Sequence, residues 1–322
     1  MKIKQLGYLV ACSFVLLGAV NAAAEIYVVG RNSDNIVVFD NSGVQMTSVP
    51  LPPGTGDPAD IAQAPNGEFF VLRGGGSVHR FDSGLNFIET WSSFGSAYGI
   101  NVDETGLVYV AGSGSASVSV YDASGVLQTT LTPAGGSNLR DTVRVSGNTW
   151  ISNFTGSKID VIDGTGTDIG DIAAPSAPFG MQLAPNGDVW VVDQNTHEVR
   201  RITPAGTQAF TFDADNGPNG SIIGQLRYLG VASDGTVFIP RRDETRVDVY
   251  SDAGVHLMTL SDASLDGPDG IVATGAPLIL DAVPTLGQWG TLFLISLMAI
   301  FGCYLVARAR YFCVGVFPVS YT

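Results

Sequence analysis

Cysteine is absent from the body of this chain. The only three, Cys12, Cys303 and Cys313, lie in the apolar terminal segments. The body therefore has no disulfide, no thiolate zinc site and no cysteine nucleophile. A thiol-free body also suits passage into an oxidising compartment. Histidine is nearly as scarce: His79, His197 and His256 are too far apart to form a metal-spaced pair. No phosphate-binding loop opens a helix, and no nucleophile elbow is present. Gly74-Gly75-Gly76 precedes a strand pattern rather than a helix, which marks a hairpin turn. Long amphipathic helical patterns are missing, whereas 40 glycines point to many short strands and tight turns.

The charge is one-sided. All 30 acidic residues lie between Glu25 and Asp281, against twelve basic residues there, a net charge of −18. Such a surface repels phosphate backbones, so nucleic acid is excluded as a partner. The acidic balance gives solubility and attracts divalent cations.

Both ends are apolar. Lys2 and Lys4 precede an apolar run, Leu6 to Val20, and then Ala22-Ala23-Ala24 before Glu25. That order is expected of a signal peptide over residues 1–24, removed by signal peptidase. At the other end, Gly290 to Ala307 is 18 residues. As a helix this segment measures about 27 Å and just spans a hydrocarbon core of about 30 Å. Arg308 and Arg310 follow as a stop-transfer signal, which places the body outside the membrane.

Between the ends lie six repeats of about forty residues. Their first landmark is an aromatic in a strand-like run: Tyr27, Phe70, Tyr109, Trp150, Trp190 and Phe238, at intervals of 43, 39, 41, 40 and 48. From the second repeat on, a turn glycine stands three residues earlier: Gly67, Gly106, Gly147, Gly187 and Gly235. The second landmark is a strand such as Val118-Ser119-Val120-Tyr121-Asp122, followed by another turn glycine: Gly43, Gly84, Gly125, Gly166, Gly206 and Gly254. Each unit reads as a four-stranded antiparallel sheet. One such sheet cannot bury both faces alone, but six around an axis bury them against each other. The first unit lacks an innermost strand, and Pro268 to Ala273 resembles the innermost strand of the others. The expected architecture over residues 25–281 is thus an all-β, six-bladed β-propeller closed by its C-terminal strand. A single C-terminal transmembrane helix follows it.

Tyr98 to Ala111, ending in Val120-Tyr121-Asp122, resembles an NHL repeat, and the likeness runs from about Ile26 to Ala273. NHL-like propellers serve as ligand binders, interaction platforms and some enzymes, so the resemblance implies fold more than function. The fifth repeat, Gly187-Asp188-Val189-Trp190-Val191 through Gly206, also resembles streptogramin-lyase-like propellers. Propeller ligands sit over the central channel, on loops entering the innermost strands. Those loops hold Asp60, Tyr98, Arg140, Asp141, Phe179, Tyr228 and Asp269, with Asp57 and Arg227 beside them. Asp60, Asp141 and Asp269 come from three blades, and a convergence of the three would favour calcium. The rival reading is that these aspartates satisfy backbone N–H groups in turns.

The lyases and the amidating-pathway propellers use histidines near the channel, whereas His79, His197 and His256 map to other strands and turns. The regucalcin and gluconolactonase family uses a carboxylate–asparagine metal set, which Asp60, Asn101 and Asp141 mimic only in part. The expected function is therefore non-catalytic binding, with no cofactor unless calcium is held. The alternative is a metal-dependent propeller hydrolase or lyase.

Val283-Pro284-Thr285-Leu286-Gly287-Gln288-Trp289-Gly290, the apolar span and the basic stop together resemble the IPTL-type C-terminal sorting domain. The resemblance implies recognition of Val283, Pro284, Thr285, Leu286, Trp289 and Gly290 by an exosortase-like transpeptidase, which cleaves the tail. Val283 replaces the family's isoleucine, and residues 311–322 extend beyond the usual basic end. The domains expected are 1–24, 25–281, 282–310 and 311–322. The protein is expected to begin as an inner-membrane precursor and to reach the cell surface or matrix, binding polysaccharide or protein there.

Overall fold

The computed structural model describes residues 25–274, apart from residues 94 and 223. The expected signal peptide, sorting segment, membrane helix and C-terminal extension lie outside the described residues. Among the described residues, no helix is long and apolar enough to cross a membrane.

The described chain is a six-bladed propeller of four-stranded antiparallel sheets. Blade 1 holds β1 (Glu25–Gly30), β2 (Asn35–Asp40) and β3 (Gln45–Pro50). Blade 2 holds β4 (Pro58–Gln63), β5 (Phe69–Arg73), β6 (Ser77–Phe81) and β7 (Phe87–Ser92). Blade 3 holds β8 (Ala97–Val102), β9 (Val108–Gly112), β10 (Ser117–Tyr121) and β11 (Leu127–Leu131). Blade 4 holds β12 (Leu139–Val145), β13 (Asn148–Asn153), β14 (Lys158–Ile162) and β15 (Asp168–Ala173). Blade 5 holds β16 (Pro178–Leu183), β17 (Val189–Asp193), β18 (Glu198–Ile202) and β19 (Gln208–Asp213). Blade 6 holds β20 (Gly230–Val231), β21 (Val237–Arg241), β22 (Arg246–Tyr250) and β23 (His256–Ser261). Finally β24 (Pro268–Thr274) pairs with β1 as the innermost strand of blade 1. This closure joins the two ends of the array and leaves no blade face open.

The landmark aromatics occupy equivalent places. Each lies in the second strand of its blade, and all six are buried. They pack across blade interfaces: the Tyr27 and Phe69 rings, from blades 1 and 2, stand 4.3 Å apart. Six apolar clusters fill the six interfaces, each drawing on two neighbouring blades. Second strands are buried throughout, whereas outermost strands such as β3, β7 and β11 are largely exposed.

The hairpins between third and fourth strands share one construction. Asp122 Oδ1 accepts from the N–H groups of Ser124 and Val126, while Gly125 adopts φ 80°. Asp40 and Asp163 repeat this with Gly43 and Gly166. The left-handed residue is always the third after the capping one, a position that suits glycine. Blade 2 departs from expectation: the third residue after Asp82 is Leu85, and Leu85, not Gly84, takes the positive φ of 60°. The turn geometry is kept, and the glycine simply falls one residue early.

At the axis the innermost strands crowd together. A Cβ built on Gly99 would lie 2.4 Å from the Arg140 carbonyl oxygen and 2.7 Å from the Asp141 Cα, both backbone atoms of the next blade. Gly95 has nothing within 4 Å. Gly99→Ala is therefore expected to cost about 1–3 kcal/mol or more through overpacking, and Gly95→Ala close to nothing. Thermal unfolding of the two variants checks this contrast, and equal melting temperatures would refute it.

Candidate functional site

Irregular register shapes the channel. Pairing slips between Pro58 and Asp60 in β4, Ala97 and Gly99 in β8, Leu139 and Thr142 in β12, and Pro178 and Met181 in β16. The β1–β24 pair slips at the same level. A bulge inserts an extra residue and re-aims the side chains around it. Two stacked rings result near the N-terminal ends of the innermost strands. The outer ring is Ala59, Tyr98, Arg140, Phe179, Arg227 and Asp269. The inner ring is Asp60, Gly99, Asp141, Gly180, Tyr228 and Gly270.

The inner ring alternates. Glycine stands in blades 1, 3 and 5, and a larger residue in blades 2, 4 and 6. Each glycine meets the backbone of the next blade's larger residue: Gly270 meets Asp60, Gly99 meets Asp141, and Gly180 meets Tyr228. The larger residues then stitch blades together. Asp60 Oδ1 accepts from its neighbour Ile61 N at 2.8 Å, and Oδ2 from Ile100 N of blade 3 at 3.0 Å. Asp141 likewise accepts from Thr142 N and from Met181 N of blade 5, both at 2.7 Å. Tyr228 breaks the pattern. Its hydroxyl donates to the Tyr98 carbonyl, from blade 6 to the opposite blade 3. Below lies a cavity of about 70 Å³ whose lining includes Asp60, Asp141, Tyr228 and Asn101.

The outer ring forms the mouth. The Arg140 guanidinium lies 4.3 Å from the Tyr98 ring centre, 4.7 Å from Phe154 and 5.0 Å from Phe179. Arg227 lies 5.4 Å from Tyr98 and 5.3 Å from Phe179. Arg227 also donates to Gln225 Oε1. Asp269 Oδ2 stands 3.1 Å from Arg242 Nε and 3.7 Å from Arg227 Nη1, whereas its Oδ1 is buried without a partner.

Burial dominates the electrostatics. It raises Asp60 well above the usual carboxylate range, and the charges of Asp141 and Asp269 add to this. Burial raises Asp141 in the same direction. It pushes Asp269 up to about 6, and Arg227 and Arg242 hold it from going higher. Burial lowers the Arg140 guanidinium.

The structure thus brings together Asp60, Tyr98, Arg140, Asp141, Phe179, Tyr228 and Asp269 on two levels of one channel. Among the described residues, no three of His, Cys, Asp and Glu form a group able to hold a metal ion. Asp60 and Asp141 each accept a backbone N–H on both oxygens, and Asp269 faces arginines. Asp57 is exposed outside the rings. The histidines lie elsewhere: His79 is buried on β6 against Thr90, His197 pairs with Asp215, and His256 starts β23. Sequence reasoning missed Phe154 and Arg242, which sit in turns between second and third strands. Their turns carry no sign of facing the mouth. The glycines at 99, 180 and 270, alternating with Asp60, Asp141 and Tyr228 at equivalent repeat positions, are the sequence sign of this ring.

No protein-family model matches the chain. It is 26% identical over 182 residues to a virginiamycin B lyase of Nocardia farcinica, spanning 56% of this chain and 61% of that protein. The match thus covers less than two thirds of the relative's length. Among solved structures, a virginiamycin B lyase of Staphylococcus aureus aligns with a TM-score of 0.57 at 15% identity, over 76% of this chain and 84% of that one. A second structure of that lyase, a catalytically inactive histidine-to-alanine variant with quinupristin, aligns with a TM-score of 0.58 at 14% identity, over 76% of this chain and 84% of that one. A chain of a nidogen/laminin complex aligns at 0.62 and 14% identity, over 79% and 99%. At these identities the structural likeness carries the propeller fold alone.

The raised carboxylates give a sign to pH dependence. A carboxyl whose folded pKa exceeds its unfolded value holds more protons folded than unfolded. Its contribution is full below an unfolded value of about 3.9 and is lost as pH rises through the folded one. For Asp269 that window runs from about 4 to about 6. Stability is expected to fall with rising pH across it, and Asp269→Asn to flatten that part of the profile. Melting temperatures at closely spaced pH values check this, and an unchanged slope in the variant would contradict it.

Proposed function

We propose that this protein is a lyase-like propeller that takes a small molecule at the mouth of its channel. The curated relative supports a lyase-like reading over a scaffold role. The observation that carries the site is the mouth itself: two arginines over aromatic rings, beside a carboxylate with one unpartnered oxygen. In an elimination, a base takes a proton from carbon, the C–H electron pair becomes the new double bond, and the leaving group departs with its own bonding pair. Asp269, pushed up to about 6, is suited to accept a proton near neutral pH. Arg140 and Arg227 are suited to stabilise the negative charge that develops on the substrate. The Staphylococcus aureus lyase is inactive as a histidine-to-alanine variant, and here a carboxylate takes the proton-accepting role because no histidine belongs to either channel ring.

That same lack of a ring histidine favours a second reading, binding without turnover. One assay separates the two. The full-length protein is expected to consume virginiamycin B, followed by chromatography, and Asp269→Asn to lower the rate by about 100-fold or more with the melting temperature kept. A wild-type protein that consumes none would sink the lyase reading and leave the binding one.

We also propose that the chain is exported and that its tail is read by an exosortase-like transpeptidase, with the propeller then delivered to the cell surface or matrix. The motif before the apolar span supports this. Pro284→Ala or Trp289→Ala is expected to leave uncleaved precursor in the inner membrane. Intact mass of the envelope fraction tests it, and normal processing of both variants would overturn it.

A further inference from the structure

Arg140 is the one mouth arginine whose charge is left uncompensated. Its side chain is buried, with 9% of the residue exposed. Among the described residues no carboxylate stands within ion-pair distance of it, whereas Arg227 and Arg242 each have one. Its Nε and Nη1, carrying three N–H donors, are buried without an acceptor. The rings of Tyr98, Phe154 and Phe179 lie close around it. Ring faces attract a cation, but they accept no strong hydrogen bonds. A buried cation with no anion, and with acceptors missing at two of its three nitrogens, is costly to keep. Tyr98 and Phe154 remain partly exposed, so their rings can meet an incoming ring. The local balance also differs from that of the whole: Arg140, Arg227 and Arg242 stand with Asp269 at the mouth, whereas the body is strongly acidic.

We infer that the mouth binds a ring-bearing carboxylate, its anionic oxygens on Arg140 and its ring against Tyr98 and Phe154. This rests on the mouth being the ligand site and not on any turnover there. Arginine is the residue suited to such a group, because its planar donors match a carboxylate and its face stacks on rings. Asp269 does not oppose the anion, since Arg242 and Arg227 stand against it. The carboxylate can come from a free aryl acid or from the aromatic C-terminal residue of a peptide.

Calorimetric titration of the full-length protein in mild detergent tests the inference with benzoate, benzamide, acetate and N-acetylphenylalanine. Benzoate is expected to bind at least about tenfold more tightly than neutral benzamide or ringless acetate. Arg140→Gln is expected to lose that preference, and Arg140→Lys to keep part of it. N-acetylphenylalanine binding above benzoate identifies a peptide end as the source, and the reverse identifies a free acid. Equal binding of benzoate and benzamide, or no binding of any acid, overturns the inference in the wild-type protein alone, whether or not the variants fold. Benzoate selectivity without consumption of virginiamycin B upholds this inference while the lyase reading fails. Consumption without any carboxylate preference does the opposite.

Discussion

The close approach of six innermost strands at one axis is the constraint on which the rest depends. Six chains cannot all carry side chains at the narrowest level. The propeller resolves this by alternation: Gly270, Gly99 and Gly180 give way, while Asp60, Asp141 and Tyr228 fill the space. A Cβ on any of these glycines would stand 2.3 to 2.6 Å from an atom of the next blade. The ring is thus six-fold in its blades but three-fold in its packing. Bulges at the same level turn successive residues inward, and a mouth forms above the narrow point.

The alternation decides the electrostatics as well. Asp60 and Asp141 are buried because they sit at the axis, and they are tolerated because each accepts two backbone N–H groups. They act as inter-blade ties. Tyr228 holds the third place and spans the channel instead. That crossing separates the cavity below from the aromatic and cationic mouth above. Two of the three carboxylates that look metal-like in the sequence, Asp60 and Asp141, are tied to backbone N–H groups, and unpartnered polar atoms remain on Arg140 and Asp269.

Propeller folds occur in proteins as different as a lyase and a chain of a nidogen/laminin complex, so the fold does not choose between chemistry and binding. The choice lies in about six side chains at the mouth. Here they combine positive charge, ring faces and one raised carboxylate. They contain no histidine.

Much of the architecture was legible in the sequence because it is periodic. The landmark aromatics, the strands with alternating pattern and the turn glycines recur at intervals near forty residues, and burial of two-faced sheets leaves few ways to stack them. The closing role of Pro268 to Ala273 followed from the missing inner strand of the first unit. Even the candidate mouth residues came from their place before inner strands. Which of them cooperate was decided only by the tertiary structure. The Asp60 carboxylate accepts from the N–H of Ile100, 40 residues away in the next blade. Phe154 and Arg242 reach the mouth from turns that carry no sequence sign of it. Local pattern determines a strand and its buried face. Partners across an axis are set by how six independently formed blades close against one another, and that distance in sequence is why the ring chemistry could not be read along the chain.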